Sequence, residues 1–231
     1  MSSMQSENRM SSMQSGNRSG VMGSLDSAAA VVAGFREQMA KSATMMARVS
    51  GWLFVAISLF ITSDIITRKL FLFSSRATDE YSNYGFAFAT SWAMGYALLT
   101  KAHVRVDVLL VRFPPAVQGY LNTFALVLVN FMMAYVVYYA WQTVFFSFQI
   151  GAQAPTIQRT PLAWPQSVWA IGLTFFWFVA FIMLVETLLD LARGKARELA
   201  HKIGPLSVQA EIDEALEAAG LEATTAEEAK K

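Results

Sequence analysis

Four long apolar runs, at about 49–66, 81–100, 117–148 and 167–189, are separated by short charged clusters and flanked by polar ends. A helix that crosses a bilayer needs about 20 predominantly apolar residues. Inside lipid, only helices or closed barrels satisfy the backbone. Only 15% of the 231 residues are charged, against about 25% in a typical soluble domain, and mean hydropathy is +0.38. The expected fold class is therefore all-α integral membrane, with four transmembrane helices.

The distribution of basic residues sets the expected orientation. Ten lie beside the spans on one side: Arg36, Lys41, Arg48, Lys101, Arg105, Arg112, Arg193, Lys195, Arg197 and Lys202. Four lie on the other: Arg68, Lys69, Arg76 and Arg159. That asymmetry puts both termini and the 101–116 loop in the cytoplasm. The first 45 residues lack the unbroken apolar core of a cleavable signal, so the first span is expected to direct insertion itself.

The flanks divide further. Residues 1–25 read as a disordered polar tail, opening on a duplicated nonapeptide, MSSMQSENR then MSSMQSGNR. An over-extended start, with Met10 or Met22 as initiator, is the alternative. Over 26–47, Val31, Phe35 and Met39 recur every four residues after Asp26 and Ser27, either of which suits a helix cap. The pattern predicts an amphipathic helix on the membrane surface, with a plain cytoplasmic lead-in as the alternative. Residues 196–231 read as an acidic cytoplasmic tail, in which Val208, Ile212 and Leu216 fit a short amphipathic helix.

Each span of the membrane domain, residues 46–195, has its own character. In the first, Asp64 precedes Arg68 by four residues, the favourable order for a helical ion pair. In the second, Gly85, Ala89 and Ala93 form one stripe of small residues, and Ala87, Ser91 and Gly95 a second. Such stripes let helix backbones approach closely in lipid, so this span is expected to be buried among helices. The third is too long for an untilted crossing. It carries Asn130 near its middle, expected to face protein, and Tyr135, Tyr138, Tyr139 and Trp141 as interfacial anchors. Pro155, Pro161 and Pro165 predict a turn-rich external loop. Glu186 and Asp190 at the inner end of the fourth span can pair with Arg193 or reach water.

Several chemistries find no support. There is no cysteine, which excludes disulfides, thiolate metal sites and thiol catalysis. The two histidines, His103 and His201, do not make a haem-binding pair. No phosphate-binding G-x-x-x-x-G-K-[ST] loop is present, and no cofactor, metal site, enzymatic activity or nucleic-acid partner is expected. No span is interrupted at its centre, as substrate-binding transporter helices often are, and no acid lies deep in the bilayer. The most distinctive stretch follows the second span: Lys101-Ala-His103-Val-Arg105-Val-Asp107. Lys101 and Arg105 suit lipid headgroups. His103 and Asp107 share a face if helical, but two ligands do not make a metal site.

This order of features resembles the small membrane subunit, DctQ-like, of tripartite ATP-independent periplasmic (TRAP) transporters. Arg68, the acidic pair Asp79-Glu80, Gly95, the His103–Asp107 element and Phe113-Pro114 carry the resemblance, over roughly residues 46–195. The family often has Trp ahead of the acidic pair and Arg three residues after the glutamate. Ala77 and Asn83 stand there in this chain, which removes the ground for inferring an ion pair from this span to a partner. The resemblance implies a small, non-catalytic scaffold subunit paired with a large DctM-like membrane subunit that carries the substrate and sodium sites. A periplasmic solute-binding protein would deliver an organic acid. Two alternatives remain at this stage, a membrane anchor of a redox complex and an independent small dimeric transporter.

Overall fold

In the computed structural model, which describes residues 2–71, 77–100 and 113–194, four helices account for most of the described residues. They are α1 (Ser2–Phe71), α2 (Thr78–Leu99), α3 (Pro115–Ile150) and α4 (Ala163–Ala192). There is no strand among the described residues, only an isolated bridge between Gln153 and Pro161. The expected acidic tail and the whole Lys101–Asp107 element lie outside the described residues.

α1 differs from the expectation. It is one unbroken helix through residues 2–25, read from sequence as a disordered tail, and through 26–47, read as a separate surface helix. Nothing between Met39 and Val49 breaks a helix, since there is neither proline nor glycine. Ser27 does not cap; its hydroxyl donates to the Ser24 carbonyl at 2.9 Å. From Gly23 to Phe71 the helix has 49 residues, about 74 Å at 1.5 Å per residue, far more than a bilayer core needs.

Three helical stretches are long and apolar enough to cross a membrane: Gly23–Phe71, Val117–Ile150 and Ala163–Ala192. α2 is not among them. Its 22 residues suffice in length, but its polar content lowers the hydropathy. The reason is its place in the fold. α2 packs between α1 and α4, and Thr78, Glu80, Ser82 and Ser91 are all buried on it.

The contacts give the order α1–α2–α4–α3, with α1 also reaching α4. α2 runs antiparallel to α1, because Gly85 meets Ile57 while Thr100, further along α2, lies beside the earlier Ala40 and Thr44. Phe54 and Phe86 meet at a tilt with ring centroids 5.6 Å apart. α3 is antiparallel to α4, because Asn130 meets Ala180 while Trp141, further along α3, meets the earlier Thr174. The helices therefore alternate in direction, and the N-terminal half of α1 lies at the same end as the C-terminus of α4.

Apolar side chains of α3 and α4, joined by Leu98 of α2, form the core. Val144, Ala170, Phe176, Val179 and Ala180 are its most buried members. α3 packs chiefly on α4, so its opposite face is bare. Phe124, Phe131, Met132, Tyr135, Tyr138 and Tyr139 are exposed there, Phe131 by 76%. An apolar face of that extent is stable only against lipid or another protein.

Candidate functional site: interlocks and an assembly surface

The described residues offer structural joints and bare surface in place of a catalytic cleft. No three of His, Asp or Glu among them come together to hold a metal ion. The first joint is the glycine seam along α2. A Cβ on Gly85 would stand 2.5 Å from Ile57 Cδ1 of α1, so the Ile57 side chain occupies the space the glycine leaves on α2. Ala89, one turn on, is fully buried, and Ala93 is half-buried.

On another side of α2, a Cβ on Gly95 would be 3.0 Å from the Phe175 ring of α4. Reciprocally, Gly172 of α4 receives Ser91 and Trp92, whose atoms would lie 2.5 and 2.6 Å from its Cβ. The Trp92 indole N–H donates to the Val168 carbonyl at 3.2 Å. Gly172 escaped the sequence reading because a lone glycine in an apolar run has no partner until the fold supplies Ser91.

At the head of α2, Asp79 is exposed while Glu80 is buried. Both sit in the first turn, where a negative charge complements the helix dipole. The Glu80 carboxylate accepts hydrogen bonds from the Thr156 hydroxyl and, at 3.0 Å, from the Tyr84 hydroxyl. Glu80 precedes the apolar run of α2. The hydroxyls of Thr156 and then Thr160 hold its carboxyl below the usual carboxylate range, against the opposing effect of burial.

Thr156 belongs to the loop that joins α3 to α4. That loop begins where Gly151, at φ 59°, ends α3 in a Schellman motif: the Ala152 N–H reaches the Ser147 carbonyl at 2.9 Å, and the Gly151 N–H reaches Phe148. Ala154 N–H to Thr160 and Leu162 N–H to Ala152 then zip the loop shut at 2.9 and 3.0 Å. Pro155 and Pro161 lie in an ordered hairpin pinned to α2, whereas Pro165, expected in the loop, sits in the first turn of α4.

The remaining buried carboxylates are Asp64, Glu186 and Asp190, each near a helix end. Arg68 lies at the end of α1, where its guanidinium meets Asp64 at 2.6 Å. Glu186, for which the sequence offered Arg193 or water, meets Arg36 of α1 at 3.5 Å. Arg193 instead bridges Asp190 at 3.5 Å, Asp26 at 3.1 Å and the Leu25 carbonyl, fastening α1 to the end of α4.

The structure thus brings Arg68 to Asp64, Glu80 to the loop, and Gly85, Ala89 and Gly95 into helix seams. Lys101, His103, Arg105 and Asp107 lie outside the described residues.

Residues 57–190, more than half of the chain, match the family of tripartite ATP-independent periplasmic transporters, DctQ component. The chain belongs to the DctQ family. A comparison with curated proteins finds no match. DctQ proteins are components of TRAP transporters and not enzymes. In this DctQ chain the matched region runs from Ile57, at the Gly85 seam, to Asp190, at the Arg193 bridge. It therefore spans the interlocks on all four helices. Membership and helices able to span by length and composition fit a multi-pass protein of the inner membrane.

Proposed function

We propose that this chain is the small, non-transporting scaffold subunit of a TRAP-type secondary transporter. It crosses the inner membrane four times with both termini in the cytoplasm. It braces a large DctM-like subunit that carries the solute and sodium sites, and the solute is an organic acid delivered by a periplasmic binding protein.

Four crossings follow if α2 shares the lipid layer of its neighbours. Its seams with α1 and α4 run along its length, and 22 residues give about 33 Å of helix, enough for a hydrocarbon core of about 30 Å. Alternating directions then place both ends on one side, and the basic residues make that side cytoplasmic.

The observation that carries the scaffold role is the fate of the acids. All four buried carboxylates on the described residues sit near helix ends with hydrogen-bond or ion-pair partners. Ion-coupled transport usually needs an intramembrane carboxylate that can change partners. The bare apolar face of α3 supports the same reading, since it is broad enough to take a large membrane partner.

Co-expression with a DctM-like large subunit tests this reading. A stable two-component complex is expected, and its yield should fall in His103→Ala and Asp107→Ala if that element serves assembly. A visible haem spectrum from the purified chain would point instead to a redox anchor. Failure to form any complex would overturn the proposal.

A further inference from the structure

An open cleft of about 360 Å³ lies between α1 and the C-terminal end of α2. It falls at the small end of the range for small-molecule sites, about 300–1,000 Å³. Its walls include Arg36, Glu37, Thr44, Tyr96, Leu99 and Thr100. These residues lie where the apolar runs stop: that of α1 begins at Val49, and α2 ends at Leu99. In a bilayer this is headgroup depth, whichever side of the membrane it faces.

The walls carry both signs of charge. The Arg36 guanidinium uses Nε toward Glu186, which leaves the other arms of a five-donor fork for an anion such as phosphate. Elsewhere on the walls, along α1 and at the end of α2, the groups are acceptors. Glu37 is anionic and engages Lys41 through one oxygen, at 2.9 Å. The Thr44 and Thr100 hydroxyls already donate to the Ala40 and Tyr96 carbonyls at 2.8 and 3.0 Å, so their oxygens can only accept.

A ligand that fits must present an anion and, beside it, a cation with N–H donors. We propose that this cleft holds the headgroup of one phosphoethanolamine lipid, with its phosphate on Arg36 and its ammonium among Glu37, Thr44 and Thr100. A trimethylammonium headgroup has no N–H to donate, and a glycerol headgroup has no positive charge for Glu37. Leu99 backs the glycerol region.

Native mass spectrometry of the delipidated full-length chain tests this, by titration with phosphatidylethanolamine, phosphatidylcholine and phosphatidylglycerol of identical acyl chains. One phosphatidylethanolamine should bind roughly tenfold more tightly than the other two, a difference on the scale of one well-made polar contact. Ala40→Trp, which fills the cleft, should abolish that preference. Thr44→Val with Thr100→Val, close in shape to the native pair, should bring phosphatidylethanolamine and phosphatidylcholine to near-equal affinity without loss of helicity or thermal stability. Equal affinity for all three lipids in the native chain would overturn the proposal. So would a preference that survives both variants, or binding of soluble phosphoethanolamine as tight as that of the lipid.

Discussion

The Thr156 hydroxyl, in the loop between α3 and α4, donates a hydrogen bond to the Glu80 carboxylate at the head of α2, 76 residues earlier in the chain. This contact ties the hairpin to the head of the helix. Thr156→Val removes the donor and keeps the shape. Hydrogen-exchange protection of the Ala154 and Leu162 amides, which close the hairpin, should fall roughly tenfold, as loss of one charge-assisted hydrogen bond implies.

The same contact sets a pH dependence. The Thr156 and Thr160 hydroxyls lower the folded-state pKa of Glu80 relative to the unfolded chain. A lowered folded value means that the contribution is fully present above the unfolded value, about 4.3 for glutamate. It is lost only as pH falls through the folded value. Loop protection should therefore stay flat from neutral pH down to about pH 5, and drop below about pH 4. Glu80→Gln should remove that drop.

The glycine seams differ in tolerance. At Gly172 an added methyl meets Ser91 and the Trp92 ring, the latter fixed on α4 by its bond to Val168. Gly172→Ala should cost about 1–3 kcal/mol, the usual cost of overpacking. At Gly85 the obstacle is the far end of the Ile57 side chain, which can turn aside. Gly85→Ala should cost less, and Ile57→Val should restore what is lost. Thermal denaturation in detergent ranks these variants.

Most of the helical layout was legible in the sequence. The run at 81–100 became α2 at Thr78–Leu99, and that at 167–189 became α4 at Ala163–Ala192. The long third run became α3, with Asn130 facing α4 as its amide requires. Its nitrogen donates to both Leu126 and Ala180 at 3.0 Å. The continuity of α1 was harder to see. The change from charged to apolar composition near residue 48 reads as a boundary, yet composition does not end a helix without a breaker.

The interlocks were hidden for a different reason. Thr156 reaches Glu80, and Gly172 receives Ser91, across sequence separations that no local pattern encodes. Arg36 and Arg193 look like ordinary flanking basic residues until the antiparallel path of α1 brings them to the end of α4.

The amide of Asn130 offers a quantitative test of polar bonding in lipid. Asn130→Leu should destabilise the α3–α4 pair by only about 0.6 kcal/mol, and by less than about 2 kcal/mol, the range for interhelical hydrogen bonds in membranes. Trp141→Phe, which loses the 3.0 Å bond to Thr174, should behave alike. Reversible unfolding in mixed micelles measures both.

Arg193 fastens α1 to α4 through Asp26, Asp190 and the Leu25 carbonyl. Arg193→Gln should free this end of α1 without melting the core. Spin labels at Ala30 and Leu188 should then give a broader distance distribution than in the native chain, with unchanged helicity.

The central claim is that this chain supports transport without performing it. Sodium-driven uptake of the solute into proteoliposomes, in the presence of its binding protein, tests that directly. Vesicles holding this chain alone should take up nothing, those holding both membrane subunits should accumulate solute, and Asp64→Asn in the complex should leave the sodium stoichiometry unchanged. Uptake by vesicles that hold this chain as their only membrane protein would contradict the account.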